Sequence, residues 1–93
     1  MTIGVLQLKL FIPQANSLKS KRQALKSLKD KIRHKFNVSV AEINAEDLWQ
    51  TAMLAIACIN SDKRLINSVL SKIVNLVDVH RALELVDHTI DFY

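Results

Sequence analysis

Cysteine, proline and glycine each occur only once in this chain of 93 residues, and aromatic residues make up 5% of it. The single cysteine, Cys58, excludes an internal disulfide and a metal cluster held by several thiolates of one chain. The sole glycine, Gly4, excludes the glycine-rich loops that cradle phosphate groups in nucleotide-binding enzymes. So few glycines and prolines leave little room for disordered or low-complexity segments. The composition therefore predicts one ordered domain over residues 1–93.

Long hydrophobic runs and metal-ligand spacings are also missing. The longest apolar run, residues 52–59, is well short of a membrane span, and the first residues do not resemble a secretory signal. The histidines His34, His80 and His88 lack the spacing of a metal site. The neighbouring acids Glu46 and Asp47 have no third partner for acid–base work. We therefore expect a cytoplasmic protein with no membrane partner, metal, cofactor or enzymatic activity.

The positive charge is concentrated in one segment. Between Lys19 and Lys35 there are eight Lys or Arg residues and one acid, Asp30, which gives 8 − 1 = +7. The rest of the chain carries five basic and eight acidic residues, which gives 5 − 8 = −3 and accounts for the net charge of +4. The pattern indicates a mildly acidic body that carries one basic element.

Hydrophobic periodicity predicts six elements. Alternation of apolar residues indicates strands at residues 2–12, 38–43, 48–59 and 82–92, with a loop at 44–47. Apolar spacings of three, four and seven indicate helices over 18–36 and 65–77, preceded by caps at Ser17 and at residues 60–62. With right-handed crossovers, this β-α-β-β-α-β order predicts a ferredoxin-like α+β fold, a four-stranded antiparallel sheet with both helices on one face. The first and third strands would be central.

The first helix carries the sharpest pattern in the sequence. Five cations fall within a stripe roughly 80° wide and about 21 Å long beside the apolar seam: Lys19, Arg22, Lys26, Lys29 and Arg33. Lys21, Lys31 and Lys35 flank the other side of the seam. Like charges at these spacings cost about 0.2–0.5 kcal/mol per pair. Ser20 occupies the third helical position, where an acid would complete a capping box, so we expect no such box.

The like charges and the missing capping-box acid both lower the stability of this helix, and such departures from local rules often mark a functional site. The backbone N–H groups at the helix start, with Ser17, Lys19 and Arg22, are suited to holding a phosphate. Three readings stay open: a solvated face that aids solubility, a contact with RNA or a ribosomal subunit, and a contact with another acidic partner. Standard RNA-recognition sheets stack bases on aromatics, whereas the central strands here offer only Phe11 and Trp49. Any RNA contact should therefore involve phosphates and the helix. The candidate residues for binding a nucleic acid or an anion are Ser17, Lys19, Lys21, Arg22, Lys26, Lys29 and Arg33.

The face of the sheet opposite the helices supports an alternative. The residues Val5, Gln7 and Phe11 point there, and Trp49 is a candidate to join them. The 49% hydrophobic content is high for so short a chain and suggests apolar surface left for a partner. A homodimeric structural or regulatory module that pairs through this face is therefore the second hypothesis.

Four segments resemble the YlxP-like family of small bacterial proteins, a domain of unknown function. They are residues 17–22 (SLKSKR), 25–28 (LKSL), 36–42 (FNVSVAE) and 47–50 (DLWQ). The resemblance spans nearly the whole chain and implies a ferredoxin-like fold. It implies no catalytic residues. Genes of this family often lie beside those for ribosome maturation and translation initiation, which favours a role connected with RNA.

Overall fold

The computed structural model describes residues 1–43 and 50–93. Its elements are β1 (Thr2–Phe11), α1 (Leu18–Lys35), β2 (Ser39–Ile43), β3 (Thr51–Asn60), α2 (Lys63–Asp78) and β4 (Glu84–Phe92). The predicted β-α-β-β-α-β order is confirmed. The predicted loop at 44–47 and the first two residues of the predicted third strand lie outside the described residues.

The four strands form one antiparallel sheet in the order β2-β3-β1-β4. β1 pairs along its whole length with β3, from Thr2 opposite Asn60 to Phe11 opposite Thr51. β4 adds to the other side of β1, with a shift of register between Lys9 and Leu10. The central positions of β1 and β3 and the edge positions of β2 and β4 match the prediction, and the arrangement is that of a ferredoxin-like α+β fold.

The core lies between the sheet and the two helices. Alternate residues of the central strands are buried, among them Leu6, Leu8 and Leu10 of β1, each 0% exposed. The helices contribute residues spaced by three and four, which are Leu25, Leu28 and Ile32 of α1 and Ile66, Leu70, Ile73 and Val77 of α2. Because these two periodicities place the buried apolar side chains on facing surfaces, the sheet and helices close a single core.

Gly4 marks a close approach of α2 to β1. A Cβ atom built at Gly4 would collide with Ile66 Cγ2 and lie 3.0 Å from Leu70 Cδ1. The helix therefore rests on the bare backbone of the strand here, and the position requires glycine for space rather than for an unusual backbone conformation.

Most element boundaries differ from the predicted ones by a residue or two, as is usual at element ends. Leu65 is a larger difference. It was predicted to belong to the apolar face of the second helix, yet it is 52% exposed. The buried row of α2 begins at Ile66, and a helix turns about 100° per residue, so Leu65 is carried away from the core. Among the described residues, neither helix has the length and hydrophobicity needed to cross a membrane.

Candidate functional site

The five predicted cations form one row along the solvent side of α1. Lys19, Arg22, Lys26 and Arg33 are exposed and Lys29 is half-buried. The helix positions them because Leu25, Leu28 and Ile32, which form the apolar seam beside the row, are anchored in the core, each at most 1% exposed. We call this row of five residues the basic face.

Two members of the basic face have intramolecular partners. Lys26 Nζ donates to Asp30 Oδ2 at 2.9 Å, and this hydrogen bond lowers the pKa of the exposed Asp30 carboxyl. Arg33 Nη2 donates to the backbone carbonyl of Val40 at 3.0 Å. The Arg33 contact places the basic face beside β2, the edge strand of the sheet. It also covers one backbone acceptor of that edge.

The other three members are available for a partner. The side chains of Lys19, Arg22 and Lys29 make no hydrogen bond or ion pair with any described residue. Their positive charges are therefore compensated by solvent alone within residues 1–43 and 50–93. An incoming polyanion would find these three ammonium or guanidinium groups unoccupied.

Lys21 does not belong to the accessible cations. The sequence placed it on the flank of the apolar seam, as a candidate binding residue, but it is only 5% exposed and is engaged in an interaction within the structure. The reason is its position on the helix, one turn before Leu25 and directly in line with the buried row. A lysine can occupy such a site because its aliphatic stem packs like an apolar residue.

Ser17 and Ser20 cap the start of α1 reciprocally, because each hydroxyl accepts a hydrogen bond from the other residue's backbone N–H. The Ser17 hydroxyl accepts from the Ser20 backbone N–H at 3.1 Å. The Ser20 hydroxyl in turn accepts from the backbone N–H groups of Ser17 and Asn16, at 3.2 and 3.1 Å. The expectation of no capping box was wrong, because a serine hydroxyl supplies the acceptor that is usually a carboxylate or amide. Ser17 is thus committed to the cap, and an anion at the helix start would have to compete with it.

The open face of the sheet is mixed in character. Val5, Gln7 and Phe11 lie on it and are half-buried, while Trp49 lies outside the described residues. An apolar row crosses its end, where Ile3 lies opposite Ile59 of β3 and exchanges two backbone hydrogen bonds with Tyr93 beyond β4. Ile59 and Tyr93 are 59% and 73% exposed. This row is the part of the open face that a partner could cover.

The same face is acidic along β4. Three exposed acids of β4 are paired with outward-facing residues of β1 and so share their side of the sheet: Glu84 with Phe11, Asp87 with Lys9 and Asp91 with Val5. A shallow depression of about 120 Å³ there is lined by Gln7, Lys9, Met53, Asp87, His88 and Thr89. The acids lie at the edge of the sheet that is opposite to the basic face.

A second concavity was not foreseen from the sequence. A cleft of about 510 Å³ lies between the second half of α1 and the end of α2, and is lined by Asp30, Lys31, His34, Lys35, Leu76, Val79 and His80. We call it the interhelical cleft. Its residues come from two segments far apart in the chain. Only the flanking cations Lys31 and Lys35, spaced by four, hinted at it.

His80 forms part of the wall of the interhelical cleft. Its Nδ1 accepts from the Ala82 backbone N–H at 3.3 Å, so the ring proton resides on Nε2. Nε2 is buried and has no hydrogen-bond partner among the described residues. Burial, and then the nearby Lys31 ammonium, lower the pKa of His80 from its ordinary 6.5, which keeps the ring neutral at pH 7.

Within residues 1–43 and 50–93 there is neither a metal-binding cluster nor a cysteine activated for thiol chemistry. No group of three or more His, Cys, Asp or Glu side chains is close enough to hold a metal ion. Cys58 is 7% exposed in β3, and burial raises the pKa of its thiol. A thiol with a raised pKa holds little of the reactive thiolate at neutral pH, as expected of a structural core residue.

Comparison with known proteins agrees with this architecture. The chain is 33% identical over 82 residues to the "Uncharacterized protein YlxP" of Bacillus subtilis (strain 168), covering 88% of this chain and 89% of that protein. Among solved structures, the "De novo designed protein Foldit4" matches with a TM-score of 0.57 at 11% identity, over 100% of this chain and 97% of that one. The designed protein shares the fold alone. The family described as "Protein of unknown function (DUF503)" matches residues 3–90, and the chain belongs to that family.

Proposed function

We propose that the protein is a non-enzymatic RNA-binding protein that contacts RNA, free or in a ribosomal subunit, through the basic face of α1. The observation that carries the proposal is the row of five cations on α1, four exposed and one half-buried, three of which have no side-chain partner among the described residues. Lysine and arginine in such a row bind phosphates and release counterions, whatever the base sequence.

The charge of the open sheet face supports α1, rather than the sheet, as the RNA-binding element. The open sheet face carries Glu84, Asp87 and Asp91, which repel a phosphate backbone. β3 carries no aromatic residue on which a base could stack. RNA is therefore expected to meet the helix rather than the sheet, and to be recognised by its shape and backbone.

The length of the row matches a stretch of backbone rather than one phosphate. From Lys19 to Arg33 the helix rises about 21 Å. A row of this length can contact several successive phosphates, so affinity should fall steeply with salt, with a slope in log K against log salt of about −0.7 to −0.9 per phosphate contacted. Lys26 and Arg33 would exchange their present partners, Asp30 and the Val40 carbonyl, for phosphate oxygens.

The test compares two variants with the same loss of charge. The first replaces the five cations of the basic face by glutamine: K19Q, R22Q, K26Q, K29Q and R33Q. The second replaces the five basic residues that lie outside α1, all exposed: K9Q, K63Q, R64Q, K72Q and R81Q. Binding of the wild type and both variants to total cellular RNA and to ribosomal subunits is measured at low and moderate salt, after urea unfolding has shown that all three are folded.

We expect salt-sensitive binding by the wild type and by the second variant, and none by the first. A uniform loss across unrelated RNA sequences would agree with phosphate recognition. An equal loss of RNA binding in both variants would mean that net charge alone, and not the basic face, determines binding. Absence of binding by the wild type would make the basic face a solvated surface and would end the proposal.

The apolar row on the open face favours a second candidate, a homodimeric structural or regulatory module. Ile3, Ile59 and Tyr93 are adjacent there, and contiguous exposed apolar residues commonly mark an interface. Sedimentation equilibrium of the wild type and of Ile59→Lys tests it, with Leu65→Lys, at a similarly exposed leucine of α2, as the matched control. A wild-type dimer that only Ile59→Lys dissociates would support this module, and a monomeric wild type would exclude it.

A further inference from the structure

The interhelical cleft has the dimensions and lining of a small-ligand site. Its volume of about 510 Å³ falls in the usual range for such sites, roughly 300–1,000 Å³. Leu76 and Val79 supply apolar surface, and Val79 is 78% exposed at the end of α2. An exposed valine at a helix end costs little by itself, but in a concave site it offers a surface against which an apolar group can pack.

The polar part of the lining favours an anion. Lys31 and Lys35, one helical turn apart, contribute two ammonium groups. Asp30, the one acid that lines the cleft among the described residues, already accepts from Lys26 Nζ at 2.9 Å, so much of its charge is compensated. The last turn of α1 also carries Arg33 and His34. Basic residues at the end of a helix serve the helix dipole in part, but the dipole does not account for the apolar wall that faces Lys31 and Lys35.

The wall contains one unsatisfied hydrogen-bond donor. His80 Nε2 carries the ring proton, is buried, and has no acceptor among the described residues. Buried polar groups without a partner are few in folded proteins, and each calls for an explanation such as a water or a ligand. His80 follows Val79 in the chain and lines the same cleft.

We propose that the interhelical cleft binds a small organic anion, one carboxylate or phosphate carried on an apolar body. The anionic group would lie between Lys31 and Lys35, and the apolar body would pack on Leu76 and Val79. An RNA strand is a poorer occupant, because its ribose-phosphate backbone has no apolar group to fill the wall formed by α2. The site is separate from the basic face and does not depend on the proposed RNA contact.

The test uses 8-anilinonaphthalene-1-sulfonate, a fluorescent aromatic anion, with octanoate as competitor and octylammonium as the competitor of opposite charge. The cleft variant is Lys31→Gln with Lys35→Gln, and the matched control is Lys19→Gln with Lys29→Gln on the basic face. A third variant, Val79→Ser, changes only the apolar wall. Amide NMR spectra record where the probe binds and show that each variant is folded.

We expect one saturable site in the wild type and in the control, with shifts at Leu76 and Val79. Octanoate should displace the probe, and octylammonium should not. The cleft variant should bind roughly tenfold more weakly or worse, as expected when hydrogen bonds to a charged group are removed, and Val79→Ser should also weaken binding. Equal weakening by the control, displacement by octylammonium, or no saturable binding would each overturn the proposal. The RNA binding of the cleft variant should be close to that of the wild type, which keeps the two proposals distinguishable.

Discussion

Single small residues decide two junctions of this fold. At the start of α1, the Ser20 hydroxyl accepts from two backbone N–H groups and replaces the acid that usually stands there. At Gly4, the missing side chain lets α2 lie directly on β1. Ser20 acts through hydrogen bonds to the flanking backbone, and Gly4 acts through the space it leaves for the side chains of Ile66 and Leu70. Removal of one oxygen atom, or addition of one methyl group, is enough to disrupt each junction.

Replacement of Ser20 by alanine should destabilise the protein by about 0.5–2 kcal/mol, because both N–H groups lose their acceptor. The free energy of unfolding in urea measures this. Ser27→Ala, at an exposed position of the same helix, is the control and should change stability little. Equal stability of the Ser20 variant and the wild type would mean that water replaces the cap without cost.

Replacement of Gly4 by alanine should cost about 1–3 kcal/mol, since the added methyl collides with Ile66 and the core has no room for it. The double variant Gly4→Ala with Ile66→Ala removes the colliding Cγ2 methyl. It should be more stable than the sum of the single effects predicts. Strict additivity of the two changes in urea unfolding would refute the close approach.

His80 should make stability depend on pH. Because its pKa is lowered in the folded state by burial and by Lys31, the unfolded chain takes up the proton more readily than the folded chain does. The free energy of unfolding is therefore highest above pH 6.5, the ordinary value, and falls as the pH drops from there through the lowered pKa. Protonation of Nδ1 also ends its bond from the Ala82 N–H. Urea unfolding at about pH 7.5 and about pH 5.5 should show this loss, and His80→Asn should reduce it. His88→Asn, at an exposed site in β4, is the control that should retain it.

At the scale of elements, α1 combines a well-made cap with unfavourable charges. Its first turn contains no acid, although the helix dipole favours acids there. Lys19 is the first cation of that turn and also the first member of the basic face. Lys19 thus makes α1 less stable than an acid would at this position, where the proposed function needs a cation.

The variant Lys19→Glu should separate the contribution of this position to stability from its contribution to RNA binding. It should raise the free energy of unfolding by about 0.3–1 kcal/mol through the dipole, and it should weaken RNA binding. Lys19→Gln, which removes the charge without reversing it, should lie between the wild type and Lys19→Glu in both measurements. A variant that gains stability and keeps full RNA affinity would show that Lys19 takes no part in binding.

The elements and their order follow from local patterns, whereas the sites depend on how distant elements meet. Alternation in β1 and the three–four spacing in α2 are properties of neighbouring residues, so the strands, helices and sheet order were predictable. The basic face was predictable for the same reason. The burial of Lys21 and the Arg33 bond to Val40 depend on side-chain conformations. The interhelical cleft forms only when the ends of two helices come together, which no periodicity encodes.

At the scale of the whole molecule, the basic face is a concentrated source of repulsion. Its cations are spaced by three and four along one helix, where each like-charged pair is destabilising. Added salt screens such exposed charges. The free energy of unfolding should therefore rise from low to moderate ionic strength in the wild type. The variant in which the five cations of the basic face are glutamine should start more stable and show a smaller rise. A stability that falls with salt in the wild type would mean that attractive pairs, such as Lys26 with Asp30, dominate instead.

The strand order places basic and acidic residues at opposite edges of the sheet. The basic face lies beside β2 at one edge of the sheet, and Glu84, Asp87 and Asp91 lie on β4 at the other edge. A molecule with opposite charges at its two edges rotates in the field of a polyanion before contact, since electrostatic steering acts over distances comparable to the Debye length. It would arrive helix first, with its β4 edge turned outward. The acidic edge and the apolar row beside it would then point into solvent, where a second macromolecule could reach them while the first is held.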